Sequence, residues 1–370
     1  MGLADRDYNR SPQRSTRSLG ARRPNWSANL IFIVVCCAVY LLDAFLSARP
    51  VDVQVGEWEV VDQAKLSEIV SSGIPTKAVK VDKRSGGVSL VYLVPAEVPD
   101  KMVRFVTPLA VTEVISVSPL RAWLQFTTAQ AIIEFDPLGH MQGGEVWRFL
   151  GYGLLHVNLT HLIFNMIGLW IFGPIVEARL GPRRYLALVL TSIIAGALLF
   201  LLLNGAGIAW LKLTKQTVGG LLFTDPYTPL IGASGGVYGV ILAAAWLYPK
   251  EEILFLFVIP MRLSLFAIGL VAMSVFTLLQ AGQNAGGEAA HLGGAMAGWL
   301  VVRKPHLLDD FFDLFGRRRA PAQVAPGTAE IDRILDKVRD HGLGSLTERE
   351  RATLRSASEA RGGSGGGGGR

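Results

Sequence analysis

The residues able to do chemistry are few, and they sit in apolar surroundings. Ser234 lies in Ile231-Gly232-Ala233-Ser234-Gly235-Gly236-Val237-Tyr238-Gly239, at the mouth of an apolar run. His161 and Asn165 are four apart in a second run with His156 just ahead of it, and His291 opens a third in Ala290-His291-Leu292-Gly293-Gly294. A serine hydroxyl is a poor nucleophile until a positioned base takes its proton, and a neutral imidazole near pH 7 suits that task. The chemistry supported is acyl transfer, with His291 as base to Ser234. A tetrahedral oxyanion then needs donors in a water-poor setting. His161, the Asn165 amide and the first backbone amides of the helix that begins in this stretch are available for it. Tyr238, one helical turn after Ser234, is placed to stack on the imidazole. Glu288, three residues before His291, reads as a helix-start residue at the water boundary, which gives a dyad rather than a triad.

Each of these residues has an ordinary explanation alone. Gly-x-Ser-Gly is common in close helix contacts, His161 and Asn165 can bond across helices, and Gly294-x3-Gly298 can be packing. Four independent polar groups converging on one depth is harder to explain, because each is expensive in lipid. The literal Gly-x-Ser-x-Gly of soluble α/β-hydrolases needs a strand before the serine. Here Asp225-Pro226-Tyr227-Thr228-Pro229 precedes it and an apolar helix follows.

The elements that must position these groups are membrane helices. Half of the 370 residues are hydrophobic and only 18% are charged, with mean hydropathy +0.37, too apolar for an ordinary soluble domain. The expected fold class is an all-α membrane protein: a bundle of six transmembrane helices, a small soluble α/β insert in the first external loop, and a short helical cytoplasmic tail. The expected division is 1–27, a disordered basic tail; 28–47, helix one; 48–144, the external insert; 145–304, helices two to six; 305–361, a cytoplasmic tail with two short helices; and 362–370, a flexible glycine-rich end. Helices two, three, five and six are expected over about Val157–Val176, Tyr185–Leu203, Leu263–Leu279 and Ala289–Val302, and helix four from the Ile231–Gly239 stretch to Tyr248. Arg179, Arg183, Arg184, Arg303 and Lys304 flank them, which puts both termini in the cytoplasm.

In the insert, Asp62–Val70 has helical spacing, Ala78–Val94 reads as two strands around Ser85-Gly86-Gly87, and Leu120–Phe135 suits a helix in the membrane interface. A loop carrying Gly205, Gly207 and Lys212 and a turn at Pro260-Met261-Arg262 are expected between the later helices. In the tail, Phe311, Phe312, Leu314 and Phe315 before Arg317 suit an interfacial segment. Ala329–Asp340 reads as a helix stopped by Gly342, and Thr347 with Glu350 forms a capping box. The adjacent Cys36 and Cys37 offer neither a disulfide framework nor a zinc site. The net charge of +6 comes largely from the chain ends, which points to anionic lipid rather than nucleic acid.

Trp147-Arg148, His156-x4-His161-x3-Asn165, Gly232-x-Ser234-Gly235 with Tyr238, and Ala290-His291 with Gly294-x3-Gly298 together resemble the rhomboid family of intramembrane serine proteases, in its bacterial six-helix form. The resemblance covers roughly 145–304, plus helix one by position. It implies cleavage of transmembrane-protein substrates near the outer face of a bacterial cytoplasmic membrane. Ser234 would be the nucleophile, His291 the base, and His161 and Asn165 would sit at the oxyanion. His156, Tyr238, Gly232, Gly294 and Gly298 would be supporting residues, with no metal or cofactor and with substrate entering past helix five. Trp147 and Arg148 match a structural loop motif. The long first loop and the tail depart from the family pattern and bear on substrate choice and regulation. The oligomeric state is left open. A catalytically silent membrane-protein binder of the same fold is the second class, exemplified by relatives lacking the serine or the histidine; both are present here. A transporter would want discontinuous helices and internal repeats, which are not seen.

Overall fold

The structure, a computed structural model, describes residues 27–83, 88–255, 258–280, 284–308, 311–312 and 327–354. The basic tail at 1–26, the Ser85-Gly86-Gly87 turn, the segment 313–319 and the glycine-rich end lie outside the described residues. The chain divides into two units, Met1–Asp309 and Asp310–Arg370.

The first unit opens with α1 (Ala28–Leu46), whose start is capped by the Ser27 hydroxyl accepting from the Leu30 amide. An antiparallel sheet follows, formed by β1 (Val51–Gln54), β2 (Glu59–Val60), β3 (Thr76–Lys83), β4 (Val88–Pro95) and β5 (Ala110–Val117). Its order is β1-β5-β4-β3, and β2 pairs with a further stretch of β5. The two expected strands are β3 and β4. Alternate residues of β5 point inward, burying Ala110, Thr112 and Val114. The helix α2 (Gln63–Ser72) is capped by Asp62 and stops at Gly73, whose φ is +65°. It sets Leu66 and Ile69 on Leu93, Leu109 and Ala110, while Val81, Val94 and Val103 form a second cluster. Burying each large aliphatic side chain here is worth about 1.5–3 kcal/mol.

Residues 120–135 do not form one interfacial helix. The chain breaks into α3 (Pro119–Leu124) and α4 (Thr128–Ala131), then a two-stranded ribbon of β6 (Glu134–Phe135) and β7 (Met141–Gln142). Ser118 and Thr127 each cap a new helix start. Between them the buried Phe126 exchanges both backbone bonds with Leu230, at 3.2 and 2.7 Å, which requires extended backbone at that point. The short α5 (Arg148–Gly151) then leads into the helical domain.

That domain holds α6 (Leu159–Leu180), α7 (Pro182–Thr214), α8 (Ser234–Leu247), α9 (Leu263–Leu279) and α10 (Ala285–Arg303). Between α8 and α9 the expected turn at 260–262 is a hairpin of β8 (Glu252–Phe255) and β9 (Ile259–Arg262). The helix α7 absorbs Gly205, Gly207 and Lys212, which the sequence placed in a loop. The return segment folds back onto this end of α7: the Leu222 amide donates to the Leu203 carbonyl, and Asn204 bonds both Thr128 and Thr224. Likewise α10 begins at Ala285 rather than near Ala289. It packs chiefly against α7 and α8. The buried Asn29 ties α1 to the domain by donating to the Leu169 carbonyl at 3.0 Å and accepting from the Tyr185 hydroxyl at 2.6 Å. By length and composition α1, α6 and α7 can each cross a membrane, whereas α8 and α9 are shorter apolar helices.

In the second unit α11 (Gly327–His341) ends at Gly342, where φ is +75°. Residues 348–354 are again helical, and the expected capping pair is present: the Thr347 amide donates to Glu350 at 2.8 Å and the Glu350 amide to the Thr347 hydroxyl at 3.3 Å. The Thr347 amide, aided by Lys337, holds the Glu350 carboxyl at about 2.

Candidate active site

Ser234 is the first residue of α8, and no side chain caps that helix start. The turn before it needs glycine at 232, where φ is +137° and a Cβ would stand 2.6 Å from the His161 ring. The Gly232 amide donates to the Tyr152 carbonyl at 2.9 Å, and the Tyr152 hydroxyl donates to the Ile193 carbonyl at 2.7 Å. Ser234 is thereby anchored to α7 through its own loop.

His291 reaches it from α10, with Nε2 2.8 Å from Ser234 Oγ. Close approach of the two helices makes this contact available. A Cβ on Gly294 would overlap the Gly235 carbonyl, and one on Gly298 would overlap that of Gly239. The Tyr238 ring lies parallel to the imidazole, centroids 4.2 Å apart and planes 10° apart. His161 and Asn165 line the same cavity of about 1270 Å³ as Ser234 and His291. The Asn165 amide donates to the His161 carbonyl at 2.9 Å, which leaves one amide hydrogen for another acceptor. His156 does not line the cavity. It is buried in the connection ahead of α6 and meets the His161 ring edge-on at 5.3 Å. Burial chiefly, and then His161, push its imidazole down to about 4. Trp147 and Arg148 hold the preceding loop: the indole donates to the Trp123 carbonyl, and the buried guanidinium donates to the Gln125 carbonyl and pairs with Glu145.

Glu288 sits in the first turn of α10, the helix-start place its position suggested, and from there it also bonds into the site. One carboxylate oxygen, Oε2, lies 3.0 Å from His291 Nδ1 and 2.6 Å from the hydroxyl of Ser274 on α9. The spacing of three residues was the available signal. Ser274 had no signal, being one of three hydroxyl residues, with Ser264 and Thr277, in a mostly apolar helix. Among the described residues no group of three or more His, Cys, Asp or Glu is placed to hold a metal ion.

Fold and site define a helical membrane domain with a serine and an imidazole in contact inside its bundle. Residues 143–304 match the family model of the Rhomboid domain, and over that segment the chain is similar to rhomboid proteins. Similar curated proteins include RHOMBOID-like protein 12, mitochondrial, of Arabidopsis thaliana, 29% identical over 184 residues, which cover 49% of this chain and 52% of that protein. Rhomboid protease AarA of Providencia stuartii is 32% identical over 176 residues, 45% of this chain and 59% of its own. Rhomboid protease GlpG of Photorhabdus laumondii is 27% identical over 203 residues, 53% and 60%. The chain spans about half the length of the curated relatives it matches. Residues 325–360 match a second model, a family of unknown function (DUF6576). Several relatives are named mitochondrial or chloroplastic. The matches therefore support an integral membrane protein, and the expected bacterial cytoplasmic membrane is not supported by them.

Proposed function

We propose that this protein is an intramembrane serine endopeptidase that hydrolyses peptide bonds of transmembrane-protein substrates, with Ser234 as nucleophile and His291 as base. The observation that carries the reading is the 2.8 Å contact between Ser234 Oγ and His291 Nε2 in a cavity bounded by α6, α8, α9 and α10. Attack forms the Oγ–carbon bond while the serine proton passes to Nε2 and the carbonyl π pair moves to oxygen. Collapse of the adduct breaks the C–N bond, and the leaving amine takes the proton from His291. Water then repeats the sequence on the acyl-enzyme, releasing the acid and restoring the serine. The oxyanion is met by His161, by the remaining Asn165 amide hydrogen and by the uncapped first amides of α8.

In this reading α1 and α6 to α10 are the six membrane-crossing helices. With 14 residues, α8 spans about 21 Å at 1.5 Å per residue, against a hydrocarbon core of about 30 Å. A helix that begins at Ser234 and ends at the far surface therefore starts below the near surface, so the nucleophile lies at membrane depth. Phe164 and Ile171 of α6 face the cavity with Phe266 and Leu270 of α9, and Phe172 stacks on Phe266 at 5.8 Å. A substrate helix enters sideways at this apolar seam, past α9. That two relatives are named rhomboid proteases supports the same reading.

A helix in lipid has its carbonyls bonded internally, so a segment must unwind before attack. Residues that weaken a helix make unwinding easier. Placing two glycines near the boundary of a single-pass substrate is expected to raise its cleavage rate about 3- to 10-fold in proteoliposomes. Equal cleavage of a leucine-rich version, with the cut mapped by mass spectrometry, would show that unwinding does not limit the reaction.

A further inference from the structure

We infer that Glu288 is a positioning residue for His291, and that Ser274 pins it there from α9, extending the serine and histidine pair into a four-residue hydrogen-bonded chain. The inference rests on the proposed roles of Ser234 and His291. A neutral imidazole carries one N–H. For Nε2 to take the serine proton, that hydrogen must be on Nδ1, and the bond Nδ1 makes selects the tautomer. Glu288 Oε2 stands 3.0 Å from Nδ1, on the edge of the ring opposite the 2.8 Å contact with Ser234.

Tyr238 fixes a different degree of freedom. A parallel stack at 4.2 Å holds the plane of the imidazole but leaves it free to turn within that plane. A hydrogen bond at each edge removes the rotation: Ser234 holds one edge and Glu288 the other. Glu288 is itself restrained, because the Ser274 hydroxyl donates to the same carboxylate oxygen at 2.6 Å and Ser274 is fully buried. The Glu288 and His291 side chains are only 17% and 14% exposed, so water screens their contact little. A glutamate serving the helix start alone would turn its carboxylate to solvent. When His291 takes the proton, the carboxylate at Nδ1 lies against the cation that forms.

The test uses the full-length protein in proteoliposomes. A fluorophosphonate probe reports on Ser234 directly: the Oγ–P bond forms as P–F breaks, fluoride leaves and the serine proton passes to His291. Labelling is resolved into kinact and KI, and turnover of a quenched-fluorescent transmembrane peptide into kcat and KM. Glu288→Gln keeps the shape and an acceptor but removes the charge. It is expected to lower kinact and kcat about 10- to 100-fold, with KI and KM within about twofold and the melting temperature unchanged. Glu288→Leu is expected to fall further, and Glu288→Asp to recover part of the loss relative to Glu288→Leu. Ser274→Ala is expected to lower kinact about 3- to 10-fold.

Wild-type kinact in Glu288→Gln, or a loss expressed in KI and KM instead, overturns the inference. If Glu288→Gln does not fold, Ser274→Ala decides, and an unchanged kinact there overturns it. A wild-type protein that takes no label, or Ser234→Ala that still cleaves, removes the serine reading itself and this inference with it. A labelled wild type and a silent Ser234→Ala beside a fully active Glu288→Gln remove only the positioning role.

Discussion

The sheet-bearing insert between α1 and α3 buries only the hydroxyl residues Ser89, Thr112 and Ser118 among its described polar side chains, whereas the helical domain at 143–304 buries amide and guanidinium groups as well. In the insert, Lys77 pairs with Asp100 and Lys80 with Asp52 on the exposed side, where such pairs contribute about 0–1 kcal/mol. In and around the helical domain Asn29, Asn165, Ser192, Asn204 and Arg148 are buried. Water tolerates a polar residue anywhere on a surface, so the insert's polar pattern reports fold and little else. In lipid a polar group needs a partner or a task, so its presence is informative.

The contrast can be broken most severely at the helix contact. Gly294→Leu forces a side chain into the Gly235 carbonyl and should separate α8 from α10. Fluorophosphonate labelling of Ser234 is then expected to fall at least about 100-fold, and an unchanged rate would mean that the glycine contact does not position the site. A cut of comparable size in the insert should spare the site. Leu109→Ala, within the sheet cluster, is expected to lower the insert's stability by about 2 kcal/mol, read by proteolytic nicking, with labelling within about threefold. A tenfold drop in labelling would tie the insert to catalysis.

The smallest expected effect is on pH dependence. His156 is held at about 4, against an unfolded value of about 6.5. Between these pH values the unfolded chain binds the extra proton, so stability rises with pH across the window and is lost as pH falls through it. Thermal unfolding in detergent between pH 7 and 4 should show this slope, and His156→Gln should flatten it. An identical slope in the variant would place the sensitivity elsewhere.

How far the fold was legible follows the same contrast. Ser234, His161, His291 and Tyr238 stood out because apolar helices surround them, and the structure brings Ser234, His291 and Tyr238 into contact and sets His161 on the same cavity. Glu288 was read as a helix-start residue, where the structure has it, but its bonds to His291 and Ser274 depend on side-chain direction and on a second helix, which local spacing does not carry. The end of α7 was misread: Gly205 and Gly207 suggest a break, and contacts with Leu222 keep the helix going. The interruption at Phe126 depends on pairing with Leu230, about a hundred residues away, which no local pattern contains. In the insert β3 and β4 were readable, while β1 and β2, with four and two residues, are too short to show alternation.

The central claim is that Ser234 and His291 act together on a peptide bond within the membrane. Its most direct test is cleavage of a single-pass transmembrane substrate by the full-length protein in proteoliposomes, comparing wild type with Ser234→Ala and His291→Ala at matched melting temperature. Wild type should cut the substrate, and each variant should lose at least about 1000-fold in kcat. Cleavage retained by Ser234→Ala would contradict the account.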